Sequence, residues 1–127
     1  MIAVGIGCRR DSPASRICAA VGAALAQAGL APGQIDALAV PAFKSGEPGI
    51  ARAAEELGLP VKLVCRSELD AVQPLCATPS AAALEATGLA AVSEAAALAA
   101  AGRNARLLLP RIAHSGVTCA VARGEGS

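Results

Sequence analysis

Apolar and polar positions alternate between two periods along this chain, and the switches between them mark its elements. Met1–Ile6 is a short apolar run ended by glycine, which predicts a buried strand. From Ala14 to Gly29, Ile17, Val21, Leu25 and Ala28 recur at helical spacing, and Gly29 is placed to end the helix. Ser12 is positioned to cap that helix and Pro13 to take its first position. Ile35–Val40 reads as a second strand, Phe43–Gly49 as a polar loop, Ile50–Leu57 as a helix stopped by Gly58, and Val61–Cys65 as a third strand.

Beyond the third strand the pattern is less regular. Ser67–Val72 predicts a single helical turn or slightly more. Thr78-Pro79-Ser80 repeats the cap-then-proline signal ahead of an alanine-rich helix running to Thr87 and ended by Gly88. Another helix is predicted over Val92–Ala101. Arg106–Ile112 and Val117–Ala122 are β-type runs joined by Ala113–Gly116, a loop short enough for an antiparallel hairpin. Strands alternating with helices require crossover connections. The expected fold is a three-layer α/β/α sandwich with a mixed, mostly parallel sheet of about five strands ending in an antiparallel hairpin. Residues 1–123 form one domain in this reading, and 124–127 a flexible polar tail.

Composition narrows the function. The chain has 127 residues, 54% apolar but only 1% aromatic, so its core must be built from Ala, Val, Leu and Ile. With 11 basic and 10 acidic side chains and Phe43 as the lone aromatic, a nucleic-acid surface is not expected. No apolar stretch approaches the ~20 residues of a membrane span and no signal peptide is recognisable, so a cytoplasmic protein is expected. Cys8, Cys18, Cys65, Cys76 and Cys119 are scattered without a metal-site or redox spacing, which predicts reduced thiols and no protein-bound metal.

Candidate chemistry concentrates at the first strand's end. Gly5-Ile6-Gly7-Cys8-Arg9-Arg10 joins that strand to a helix start, bringing backbone N–H groups and two guanidiniums to a place suited to carboxylate or phosphate. The third glycine of a dinucleotide fingerprint is missing and no Gly-Lys-Ser/Thr follows, so a nucleotide is not implied. Cys8 beside Arg9 has surroundings that lower a thiol's pKa, but the sole histidine, His114, falls in the distant hairpin turn. Glu94 is the only charge between Ala86 and Ala101. It either satisfies backbone donors at a helix start or acts as general base on a water.

Four segments, Gly5–Arg10, Lys44-Ser45-Gly46-Glu47-Pro48-Gly49, Val92–Leu98 and Gly116–Arg123, together resemble the cobalamin-biosynthesis family formed by the C-terminal domain of cobalt-precorrin-5A hydrolase (CbiG) and stand-alone CobE. The resemblance runs from Val4 to Arg123 in the family's order, and the lack of an added N-terminal domain points to the stand-alone kind. Asp11 stands where the family often has glycine after the two arginines, and Arg111 where lysine is frequent.

The resemblance implies a corrinoid or precorrin ligand, a flat apolar-faced macrocycle fringed with carboxylates. Arg9, Arg10, Lys44 and Arg111 would supply cations, Gly5 and Gly7 close backbone approach, and Cys8, Glu47 and Ser93 further contacts. A carrier or accessory factor is the expected role. The alternatives are a hydrolase of a precorrin lactone using Glu94 or Cys8, and a small phosphate-ligand domain. No cofactor is expected on the protein, any cobalt arriving inside the substrate, and other pathway enzymes are expected partners.

Overall fold

A computed structural model describes residues 1–79, 81, 84–85 and 91–126. Its five-stranded sheet consists of β1 (Ile2–Gly7), β2 (Ala37–Pro41), β3 (Val61–Val64), β4 (Arg106–His114) and β5 (Val117–Arg123), in the order β3-β2-β1-β5-β4. β1, β2 and β3 are parallel, while β5 is antiparallel to both β1 and β4. All strands but β5 therefore run one way, as a mixed sheet closed by a hairpin requires. Helices α1 (Ala14–Ala28) and α2 (Pro48–Leu57) cover one face, α3 (Arg66–Ala71) and α4 (Ser93–Ala101) the other. The expected three-layer α/β fold is observed.

The strand period of two sorts residues by size. Val4 and Ile6 of β1, Leu38 and Val40 of β2, and Cys119 and Val121 of β5 pack with Ile17, Val21 and Leu25 of α1 and Ile50 of α2. Burial of each large aliphatic side chain there contributes about 1.5–3 kcal/mol. The opposite face carries Ala3, Gly5, Ala39, Ala120 and Ala122, a bed of minimal side chains. α4, with Leu98 as the only aliphatic side chain larger than alanine, lies directly on that bed and is buried almost all round. A Cβ on Gly5 would stand 1.9 Å from the Ser93 carbonyl oxygen, so only glycine permits this spacing.

Several expectations are corrected in detail. Pro13 occupies the N-cap of α1 rather than its first helical position, and Ser12 makes no cap, its hydroxyl donating instead to the Arg9 carbonyl oxygen at 2.8 Å. The hairpin turn contracts to Ser115-Gly116, both with positive φ (54° and 78°), the geometry of a two-residue type I′ turn. His114 accordingly belongs to β4, paired with Val117. The polar tail is not loose over Gly124–Gly126: Gly124 N–H donates to the Met1 carbonyl, Glu125 N–H to that of Arg103, and Gly126 N–H to that of Ala101. Most of the alanine-rich helix predicted after Thr78 lies outside the described residues.

Candidate functional site

Parallel connectivity brings the chemistry-bearing loops to one end of the sheet. The loop after β1 (Cys8–Pro13), the segment after β2 (Ala42–Glu47) and the start of α3 all lie beyond the strands' carboxyl ends. α4 runs antiparallel to β1, so its N-terminus, with Ser93 beside Gly5 and Gly7, points to the same end. The chain reverses its placement at β1, which has parallel β2 on one side and antiparallel β5 on the other. In open α/β sheets that crevice is where ligands bind.

The first two loops are locked together. Glu47 accepts the Asp11 N–H at 2.9 Å, and a Cβ on Gly49 would lie 2.0 Å from the Ser12 carbonyl oxygen, so α2 begins hard against the first loop. Asp11 sits at φ 61°, the left-handed region that favours glycine. Lys44 and Glu47 form no ion pair with each other; among the described residues the salt bridge is Arg66–Asp70 at 3.8 Å. Arg9 and Arg10 are exposed, and Lys44 is half-buried.

Cys8 does not acquire the depressed pKa that its sequence neighbours suggest. Burial pushes the thiol up, and Glu47 adds to that rise, outweighing the lowering influence of Lys44 and of the Ser12 hydroxyl. Burial likewise raises Cys18, takes Cys76 up to about 11 and takes Cys119 up to about 12. His114 lies exposed at the hairpin end. Among the described residues no cluster of His, Cys, Asp and Glu has the arrangement of a metal site.

Glu94 resolves toward one of its two readings. It is 1% exposed and accepts four hydrogen bonds from the described residues: Ala77 N–H (2.9 Å) and Thr78 N–H (2.8 Å) on Oε1, Thr78 Oγ1–H (2.9 Å) and Arg111 N–H (2.9 Å) on Oε2. Burial alone would raise its pKa, but these donors, Arg111 N–H foremost, hold the carboxyl below its ordinary value. The Arg111 N–H is free for this because β4 bulges between Leu109 and Ile112. Glu94 thus pins the segment after α3 to the edge strand. Its lone pairs are committed to the fold. Thr78 as its principal partner was not legible from sequence, since sixteen positions separate the two.

The remaining sequence candidates divide in two. Gly5 lies beneath α4 and meets helix backbone rather than open space, whereas Gly7 is half-exposed beside Thr118. Arg111 is half-buried on β4, across β5 from the Cys8–Arg10 loop. Ser93 is 2% exposed and its hydroxyl has no hydrogen-bond partner among the described residues.

The sequence reading missed the apolar floor of the site. Phe43 and Leu63 are half-exposed, and a groove of about 210 Å³ is lined by Val40, Lys44, Glu47, Ile50, Val61 and Leu63. The available signal was Phe43, the lone aromatic, next to Lys44. A larger cleft of about 520 Å³ opens between the first turns of α1 and α2, but Asp11 and Glu56 line it beside Arg52. Those carboxylates make it a poor match for a polyanion.

Comparison with known proteins agrees with this architecture. The family described as Cobalamin synthesis G C-terminus matches residues 2–122. Protein CobE from Sinorhizobium sp. is 36% identical over 121 residues, covering 95% of this chain and 79% of that protein. The crystal structure of CobE, a protein from the cobalamin (vitamin B12) biosynthetic pathway, superposes with a TM-score of 0.92 at 35% identity, covering 100% of this chain and 92% of that one. The cobalamin biosynthesis protein chiG from Agrobacterium tumefaciens superposes with a TM-score of 0.79 at 42% identity, covering 98% and 99%. The chain, matched almost end to end in both sequence and fold, belongs to the cobalamin synthesis G C-terminal family and is a cobalamin-biosynthesis protein.

Proposed function

We propose that the protein binds a corrinoid precursor at the carboxyl end of the sheet and carries it without turning it over. The observation that carries this reading is the conjunction there of an apolar groove with Lys44, Arg9 and Arg10 on two loops locked by the Glu47–Asp11 hydrogen bond. A corrin ring presents flat apolar faces and a rim of acetate and propionate groups. At about 210 Å³ the groove is smaller than pockets that enclose drug-sized ligands, so the macrocycle would lie across Phe43 and Leu63 with its rim against the cations. Guanidiniums hold carboxylates in two places at once, which suits this rim.

Two features favour carriage over hydrolysis. Glu94 has both oxygens committed to four donors, and a carboxylate so engaged, its pKa lowered, is a poor base toward water. Cys8 has a raised pKa and no imidazole beside it. The test is titration of the protein with cobyrinic acid, followed by the corrin's visible absorption, and incubation with a lactone-bearing precorrin while acetaldehyde is quantified. Saturable binding without release is expected. Multiple turnovers of acetaldehyde would replace the carrier with a hydrolase, and absence of binding would remove the corrinoid altogether.

A further inference from the structure

β3 ends the sheet without the protection that β4 has. Val61 and Leu63 are 36% and 49% exposed, and they lie on the face that α2 covers. The Leu38 N–H donates to the Pro60 carbonyl oxygen, so Pro60, Lys62 and Val64 turn their backbone groups toward β2, while Val61 and Leu63 turn theirs outward. An outward row of N–H and C=O groups beside two exposed aliphatic side chains is a template for another strand. Within Val61–Val64 no proline or bulge blunts it. Its one charge is drawn inward, Lys62 Nζ donating to the Ala100 carbonyl oxygen of α4 at 3.3 Å.

The charges along this edge say what fits it. Ala51 of α2 lines the groove with Val61 and Leu63, and Glu55, one helical turn further on, lies on the same flank, whereas Arg52 and Glu56 face the cleft beside α1. α2 runs antiparallel to β3, which puts Glu55 toward the strand's start, and Lys44 lines the groove at the strand's carboxyl end. Neither Lys44 nor Glu55 is in a salt bridge with a described residue, and Glu47, the other charge in the groove, is held on the Asp11 N–H. A two-fold axis perpendicular to the sheet inverts this order. It sets Lys44 of each copy against Glu55 of the other, two opposite-charge contacts from one pair of residues. An axis through Leu63 also stacks the two Leu63 side chains and places Lys62 opposite the second copy's Val64, so the two Lys62 side chains do not oppose each other.

We propose that a second copy of this chain docks on β3 and the adjoining flank of α2, antiparallel and about a two-fold axis, joining the two five-stranded sheets edge to edge. Leu63 and Lys44 are also where the corrinoid reading lays the macrocycle, so the pair is the state of the empty protein and the ligand displaces the second copy. That displacement alone rests on the corrinoid reading; the pairing does not.

Light scattering after size exclusion, over a series of protein concentrations, measures the pairing in wild type, Leu63→Lys, Lys44→Glu, Glu55→Lys and the double exchange Lys44→Glu with Glu55→Lys. Wild type should be a dimer that dissociates on dilution, and Leu63→Lys a monomer that still unfolds cooperatively on heating, since the side chain is half-exposed. Each single exchange sets like charges together twice per dimer and should raise the dimer dissociation constant about tenfold or more, while the double exchange recovers most of that loss. A wild type that stays monomeric at roughly 1 mM, or a Leu63→Lys that pairs as wild type does, overturns the proposal. Single exchanges without effect, or a double exchange without recovery, overturn the antiparallel arrangement. Saturating cobyrinic acid should convert wild type to monomer. A dimer that persists with the corrin bound overturns the displacement, whereas a wild type that pairs but binds no corrin establishes the pairing and removes the corrinoid reading.

Discussion

Asp11 holds a left-handed backbone conformation, φ 61°, the region that glycine adopts most readily. Aspartate tolerates that region better than most residues, yet still at a cost. Asp11→Gly is expected to raise stability by up to ~1 kcal/mol in urea unfolding, the relief of strain being partly offset by greater freedom in the unfolded chain. A loss of stability would show that the aspartate side chain supports the loop. Glu94 presents the opposite case, a residue whose chemistry is spent on folding. Glu94→Gln would set an NH₂ against at least one N–H donor, and should cost about 2–4 kcal/mol. The pH dependence follows from sign. Glu94 lies below its ordinary value of 4.5 in the folded state, so its contribution is complete above that value and is lost as pH falls through the folded pKa. Between pH 5 and the acid limit, wild type should lose stability more steeply than Glu94→Gln, measured as unfolding free energy at a series of about five pH values. Parallel slopes would mean that the carboxylate is not titrating in this network.

At the scale of elements, the contact between α4 and the sheet is set by the absence of side chains. Gly5, Ala3, Ala39 and Ala120 let an alanine helix approach so closely that Ser93 and Ala97 backbone atoms crowd the Gly5 Cα. Gly5→Ala must push backbone against backbone, which cannot be relieved by a rotamer change. It should destabilise the domain by ~3 kcal/mol or more, at or beyond the upper end of overpacking costs. A variant with wild-type stability would show that α4 can shift freely. The sheet edges are handled differently. β4 carries Pro110 and two bulges, while β3 leaves Val61 and Leu63 exposed. The apolar edge adjoins the candidate site, and the edge protected by proline and bulges does not.

For the whole molecule, the helices α1, α2, α3 and α4 all start at the sheet's carboxyl end, where Arg9, Arg10 and Lys44 also gather. Their combined field is positive although the chain's net charge is only +1. Arg9→Ala and Arg10→Ala should each weaken cobyrinic acid binding by ~1.5–3 kcal/mol, with thermal unfolding unchanged because both side chains are exposed. Binding should also weaken as salt is raised from roughly 0.05 to 0.5 M, since exposed charges are increasingly screened over that range. Equal affinity in both variants, with no salt dependence, would place the ligand elsewhere.

What the sequence determined by itself was local. Apolar period, turn glycines and the Ser115-Gly116 pair dictate the strands and helices, because dihedral preference and amphipathic spacing act over a few neighbouring residues. Gly29 and Gly58 end α1 and α2 in left-handed geometry where the pattern placed them. The ordered motifs at Gly5–Arg10, Lys44–Gly49 and Val92–Leu98 were enough to name a family and point to one loop end. Tertiary structure decided what those residues face. Glu94 was legible as an isolated charge, but its commitment to Ala77, Thr78 and Arg111 depends on a bulge in β4 and on how the segment after α3 returns across the sheet. Gly5 was legible as a place of close approach, and only the packing shows that a helix, rather than a ligand, makes it. The thiol of Cys8 rises because burial outweighs its cationic neighbours, a balance of desolvation and charge that is set by distance in the folded chain and not by adjacency along it.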